Sequence, residues 1–148
     1  MIILPEILQE AFPENSRMRL KAYIISTRGK YLNPGGPTLD CPICGKTMTM
    51  NTPMDLHEAL ISRSQVQNHH LKYLIFHPCN VVLRHNSIST TGCKHEGGVG
   101  GDEIFAKCAK QIAYYETSER VTGYLMAMQE YFPIVARDAL RRFISLGE

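Results

Sequence analysis

Residues 41–67 read CPICGKTMTMNTPMDLHEALISRSQVQ, and the rest of the chain is best read outward from them. The stretch opens on Cys41-Pro42-Ile43-Cys44-Gly45, two thiols three residues apart with proline before the turn and glycine after it. That spacing makes a knuckle that presents both sulfurs to one zinc ion; a pair of buried or redox-active thiols is the plainer alternative. Residues 46–50 are expected to leave the knuckle as a strand, and residues 54–61 to form a second strand that runs into a loop. On that strand Asp55 and His57 point to one face, and Glu58 to the other unless the strand bends. One element can therefore offer both a metal ligand and a base. Residues 62–72 are polar and read as loop or a short helix.

Outside this stretch the composition is that of an ordinary globular domain. The 148 residues are 44% hydrophobic and 20% charged, enough for one domain with a real core. No apolar run approaches the length of a bilayer helix. The N-terminus lacks a basic region and soon meets Glu6 and Glu10, which argues against a secretory signal and for a cytoplasmic protein. A formal net charge of +2 is too small to argue for nucleic acid by itself. Basic residues gather at Arg17, Arg19, Lys21, Arg28 and Lys30, and again at Arg137, Arg141 and Arg142; both groups read as solvated faces. Five cysteines, an odd count, do not suggest a disulfide framework, and Cys79 and Cys108 read as small core hydrophobes.

Residues 2–11 have a helical apolar pattern ended by Pro13. Residues 20–26 (LKAYIIS) are short, apolar and partly β-branched, and read as a strand. Residues 28–37 hold Gly29, Asn33, Pro34, Gly35, Gly36 and Pro37, and read as loop, as does the Ser-, Thr- and Gly-rich run 86–101. Residues 81–83 are a third apolar trio. A helical period spans 102–116; Ser118 reads as the N-cap of the next helix, and Pro133 starts a last one with Gly147 beyond its end. His69, His70 and His77 lie in or beside loops and read as solvated, with His77 kept as a minor candidate because it abuts Asn80.

Four features follow in one order: Cys41-x-x-Cys44, then Asp55-Leu56-His57-Glu58, then Asn80-Val81-Val82-Leu83, then His85 with Cys93-Lys94-His95. That order resembles the HNH (ββα-metal) endonuclease family. Its members commonly read as a CxxC knuckle, an acid-x-His-His strand, an Asn-Leu-x-x-Leu step and a second Cys-x-x-Cys-His segment. The run 55–67 is similar to a subgroup reading roughly E-[IL]-H-H-A-[LI]-[VI]-x-R-x-x-V-Q. The resemblance covers about residues 41–125. It implies an α+β fold: a two-stranded ribbon and helix around a metal, stapled by a structural zinc, with flanking helices. The single domain would comprise an N-terminal extension (1–40), the knuckle and core (41–101) and C-terminal helices (102–148).

The resemblance also implies roles. His57 matches the first of the paired histidines, a ligand of the catalytic metal, and Glu58 stands where the second, the general base, is expected. Asn80 matches the asparagine that ties the loop together by hydrogen bonds, and Asp55 the acid that orients its neighbours. Arg63 lies in the matching stretch and is a candidate phosphate contact. Phosphodiester hydrolysis needs an activated water and neutralised charge on phosphate and leaving oxygen, which one divalent ion and a nearby base supply. The ion would be Mg²⁺, Mn²⁺, Ni²⁺ or Zn²⁺, and the partner nucleic acid, with DNA pointed to by the family.

Two departures stand out. A glutamate is ordinarily a weak base at neutral pH, so either its surroundings make Glu58 serviceable, or Glu58 binds metal while His57 is the base, or the site does not cut. The next family cysteine would fall at 85, where this chain has His85. The structural zinc is therefore expected on Cys41, Cys44, His85 and Cys93, with His95 joining His57 on the catalytic metal. The rival readings are a zinc-stapled module that holds nucleic acid without cutting it, and a zinc-stabilised protein-interaction domain. A small stand-alone domain of this kind is associated with phage or mobile elements. Oligomeric state leaves no mark in the sequence.

Overall fold

In the computed structural model, which describes residues 3–32, 35–86 and 101–147, two single turns of 3₁₀-helix lead into α1 (Arg17–Arg28). A hairpin follows, β1 (Lys30–Leu32) against β2 (Gly36–Asp40), and beyond the knuckle the short β3 (Thr47–Met48) pairs with β2. Next come β4 (Met54–Glu58), the one-turn α2 (Arg63–Val66) and β5 (Val81–His85), then α3 (Gly101–Glu116), α4 (Ser118–Met128) and α5 (Pro133–Ser145). The strands form two antiparallel sheets, β1-β2-β3 and a separate β4-β5 ribbon. The mixture of long helices with small sheets is the expected α+β class.

Four local expectations are corrected. Residues 20–26 are helix, not strand: Leu20, Ile24 and Arg28 are the buried residues of α1, spaced every fourth position, and a seven-residue window is too short to show that period. Residues 28–37 are not simply loop. Arg28 ends α1, and Lys30 and Leu32 pair with Thr38 and Gly36, so the stretch carries two paired strands. The 2–11 pattern yields a 3₁₀ turn at Glu6–Glu10, because prolines at 5 and 13 bracket too few residues for an α-helix, and Leu8 is its buried residue. The N-cap of α4 is Thr117 rather than Ser118, its side chain accepting from the Arg120 N–H.

The core is continuous. Phe105, Cys108, Ala109 and Ile112 of α3 meet Val121, Tyr124, Leu125 and Met128 of α4, while Ala136, Ala139 and Phe143 of α5 close the bundle. Arg28, expected on a solvated face, lies inside it. Its guanidinium donates to the carbonyls of Val81 (2.9 Å) and Pro78 (2.8 Å) and pairs with Glu116 at 3.3 Å. Burial holds its pKa below the usual arginine value, opposed by the Glu116 charge. The N-terminal segment is thereby fastened to the strand that follows Asn80, and Lys21 adds a 2.9 Å bond to the Met54 carbonyl.

His77 is a second buried polar group, with no exposed surface. Its Nδ1 accepts from the Cys79 N–H at 2.9 Å, so the proton sits on Nε2, which donates to the Ile7 carbonyl at 2.6 Å. The ring packs against Tyr124, which itself donates to the Leu74 carbonyl. Burial pushes the His77 pKa down to about 4 from 6.5, against the opposing pull of its bond to Ile7. Above pH 6.5 His77 is neutral in both states and its contribution is whole; as pH falls toward 4 the unfolded chain takes up the proton first, so stability is lost. Urea unfolding between pH 7 and 4 should show a decline of about 3 kcal/mol from this group, given about 1.4 kcal/mol per pKa unit. His77→Gln should flatten that decline, and an equally steep profile in the variant would contradict the assignment.

Candidate functional site

The knuckle is a tight turn in which the Cys41 carbonyl accepts from the Gly45 N–H at 2.8 Å and the Cys41 N–H donates to the Lys46 carbonyl at 2.9 Å. Gly45 adopts φ +76°, a left-handed conformation that suits glycine and closes the turn without strain. Across from it, β5 ends at His85, whose Nδ1 lies 3.3 Å from the Cys44 Sγ. The ligand atoms of Cys41, Cys44 and His85 all lie within 4.8 Å of one another. Cys41 and His85 are buried and Cys44 half-buried. A tetrahedral ion with bonds of about 2.3 Å to sulfur and 2.0 Å to nitrogen separates its ligands by roughly 3.6–3.8 Å, so this group can hold a metal ion. It is the one such group among the described residues. Cys93, the expected fourth ligand, lies outside the described residues.

Two side chains of α3 brace the knuckle, and nothing in the sequence singled them out. Lys107 Nζ donates to the Ile43 carbonyl at 3.1 Å, and Gln111 Nε2 to the Asp40 carbonyl at 2.9 Å. Each is an ordinary surface-type residue whose role exists only once the helix is laid against the turn.

The β4-β5 register sorts the other candidates by face. Met54 pairs with His85, Asp55 with Arg84, Leu56 with Leu83, His57 with Val82 and Glu58 with Val81. Directly opposed residues share a face, so Asp55, His57, Val82 and Arg84 lie on one side and Met54, Leu56, Glu58, Val81, Leu83 and His85 on the other. The ribbon does not bend enough to bring Glu58 round to His57. Asp55 and His57 are half-buried, and Asp55 Oδ1 accepts from Asn86 Nδ2 at 3.2 Å. Arg84 Nε is buried with no hydrogen bond among the described residues. His95 lies outside the described residues.

Glu58 is only 7% exposed, and its Oε1 has no hydrogen-bond partner among the described residues. The Nε of Arg63 stands 3.6 Å away, close enough for an ion pair but beyond hydrogen-bonding distance. Arg63 itself is half-exposed, with its guanidinium 5.8 Å from the centre of the Phe76 ring.

Asn80 is fully buried and satisfied on every side. Its Oδ1 accepts from the N–H groups of Leu60 (3.1 Å) and Ile61 (2.8 Å), and its Nδ2 donates to the carbonyls of Ile61 (3.0 Å) and Ile75 (2.9 Å). Its own carbonyl accepts from the Ala59 N–H at 2.7 Å. The loop between the two strands is thus tied shut at its base.

Of the other described histidines and cysteines, His77, Cys79 and Cys108 are buried, His69 is half-buried and His70 is exposed. His77 is buried, contrary to its solvated reading, because its two ring nitrogens replace water with backbone partners. His69 stacks on His70 and packs against Phe132. Burial pushes both the Cys79 and Cys108 thiols up to about 12, which makes them inert core residues.

No family model, curated protein or solved structure matches the chain. No helix among the described residues is long and apolar enough to cross a membrane.

Purified protein should carry about one metal ion per chain on a group of this kind, and a strong chelator should lower its melting temperature. Cys44→Ser should lose both the ion and the chelator response. A protein with no bound metal whose melting ignores chelator and added metal alike would contradict the site.

Proposed function

We propose that this chain is a metal-dependent endonuclease of the HNH kind that hydrolyses phosphodiester bonds, with DNA as substrate. The observation that carries the reading is the Asn80 lock: one buried carboxamide, placed between the acid-x-His strand and its partner, makes four hydrogen bonds that close the ribbon beside a Cys-Cys-His metal group. A bare zinc module has no need of Asp55 and His57 on a face turned away from the zinc.

In this proposal the Cys41, Cys44 and His85 group holds a structural zinc with Cys93 as its fourth donor, since two thiolates and an imidazole suit zinc. A second divalent ion, held by Asp55 and His95 where His57 is the base, would neutralise charge on the scissile phosphate and on the leaving oxygen. Asp55, oriented by Asn86, sits two residues from His57 on the same face and can align its imidazole. Of the two candidate bases we favour His57, because the Glu58 carboxylate is buried on the opposite face, where it has no access to a water on the His57 side. Glu58 then serves as the counter-ion of Arg63.

A second reading is favoured by the same burial of Glu58: a zinc-stapled module that binds nucleic acid without cutting it. Cleavage of supercoiled plasmid with Mg²⁺, Mn²⁺, Ni²⁺ and Zn²⁺ in turn separates the two. Metal-dependent nicking should fall by at least about a hundredfold in His57→Ala, the usual contribution of an acid–base group, while the variant keeps its bound zinc. Cleavage with none of the four ions, alongside retained nucleic-acid binding, would replace the nuclease by the binding module.

A further inference from the structure

Arg84 lies directly across the ribbon from Asp55 and diagonally from His57, whose own opposite is Val82. Opposite charges that face each other on an antiparallel pair ordinarily bind. These two do not. Asp55 Oδ1 accepts from Asn86 Nδ2 at 3.2 Å, and Arg84 makes neither a hydrogen bond nor an ion pair among the described residues. Arg28, Arg63, Arg120, Arg141 and Arg142 each meet a carboxylate, so Arg84 is unlike most arginines of this chain. Its Nε is buried without a partner, whereas its Nη atoms, also without partners among the described residues, reach solvent.

A guanidinium whose stem and Nε are set into the protein, with its fork turned outward, is aimed before any ligand arrives. The fork matches two oxygens of one phosphate, which a lysine meets only as a point charge. No carboxylate among the described residues stands within ion-pair distance of Arg84, so its place is not already filled by an acid. Facing and diagonal positions on such a ribbon lie about 5–8 Å apart, a separation that one phosphodiester group can bridge. A phosphate on the Arg84 fork therefore sits beside both Asp55 and His57.

We propose that Arg84 is a catalytic residue of phosphodiester cleavage: its fork binds the non-bridging oxygens of the scissile phosphate and stabilises the charge that gathers on them. The assignment rests on the nuclease reading above and adds a cation that the chain itself supplies. As water adds to phosphorus and gives its proton to His57, the bond from phosphorus to the leaving oxygen breaks. Its electron pair goes to that oxygen, beside the divalent ion. The non-bridging oxygens gain charge on the way, and Arg84 is placed to face them.

Two measurements on the same variants test it: binding of a short labelled duplex over a range of salt with no divalent metal added, and single-turnover cleavage at saturating DNA with the ion that supports nicking. Arg84→Met keeps the buried stem. It should weaken binding, make the salt dependence shallower by about 0.9, the share of one phosphate, and slow cleavage by about a hundredfold or more. Arg84→Lys should restore the binding and its salt dependence but only part of the rate, because it lacks the fork. Added guanidinium should speed Arg84→Met and leave His57→Ala unchanged. Arg84 variants that bind and cut as the unaltered protein does would overturn the assignment while leaving the nuclease standing. Weaker binding with a full rate at saturation would also overturn it, by reducing Arg84 to a phosphate contact away from the reacting centre. An unaltered protein that cuts with none of the four ions would remove the nuclease and the catalytic role of Arg84 together.

Discussion

The carboxamide of Asn80 is the constraint on which the rest of the site depends. A long connection separates the two ribbon strands, and an antiparallel pair joined by such a loop has no tight turn to set its register. Asn80 supplies what the turn does not. By binding the backbone of residues 60 and 61 at one end of the loop and of residue 75 near the other, it fixes where β4 stops and β5 begins. A slip of one residue would exchange the faces of the ribbon, burying His57 and carrying His85 away from Cys44.

Everything with chemical potential is arranged around that fixed register. The metal group joins a turn that precedes the ribbon to the last residue of the ribbon, so an ion there cross-links two segments that no hydrogen bond between their backbones connects. Helix α3 supports the turn through Lys107 and Gln111, and Arg28 of α1 supports the start of β5 through the carbonyls of Pro78 and Val81. These contacts are long in sequence and short in space, and they make the early and late parts of the chain a frame for the ribbon rather than appendages to it. Glu58 belongs to the frame as well: it faces away from His57 and its charge organises Arg63.

Much of this was legible in the residues. The knuckle, the short strand after it, the first ribbon strand and the three C-terminal helices follow from spacing and period, while residues 81–83 read only as an apolar trio and His85 follows from counting along the family pattern. The misreadings have physical causes. Helix α1 shows its period only when Arg28 is counted with Leu20 and Ile24 as buried, and no sequence rule counts an arginine as core; its burial is made affordable by three acceptors that arrive from residues 78, 81 and 116. His77 looked solvated because its satisfying carbonyl comes from Ile7, seventy positions away. The expected Cys93 and His95 lie outside the described residues.

In the proposed reading one ribbon carries two separate sites, His85 with the cysteines on one face and His57 with Asp55 on the other. Proton NMR of the protein loaded with one equivalent of Co²⁺ measures this directly, because the paramagnetic ion displaces the resonances of the imidazoles that bind it. The expected spectrum shows the exchangeable Nε2 proton of His85 strongly shifted, since its Nδ1 faces the metal, and this signal is lost in His85→Ala and kept in His57→Ala. A shifted imidazole proton at the first equivalent that belongs to His57, and survives His85→Ala, would show that the ribbon carries a different metal site and would contradict the two-faced arrangement.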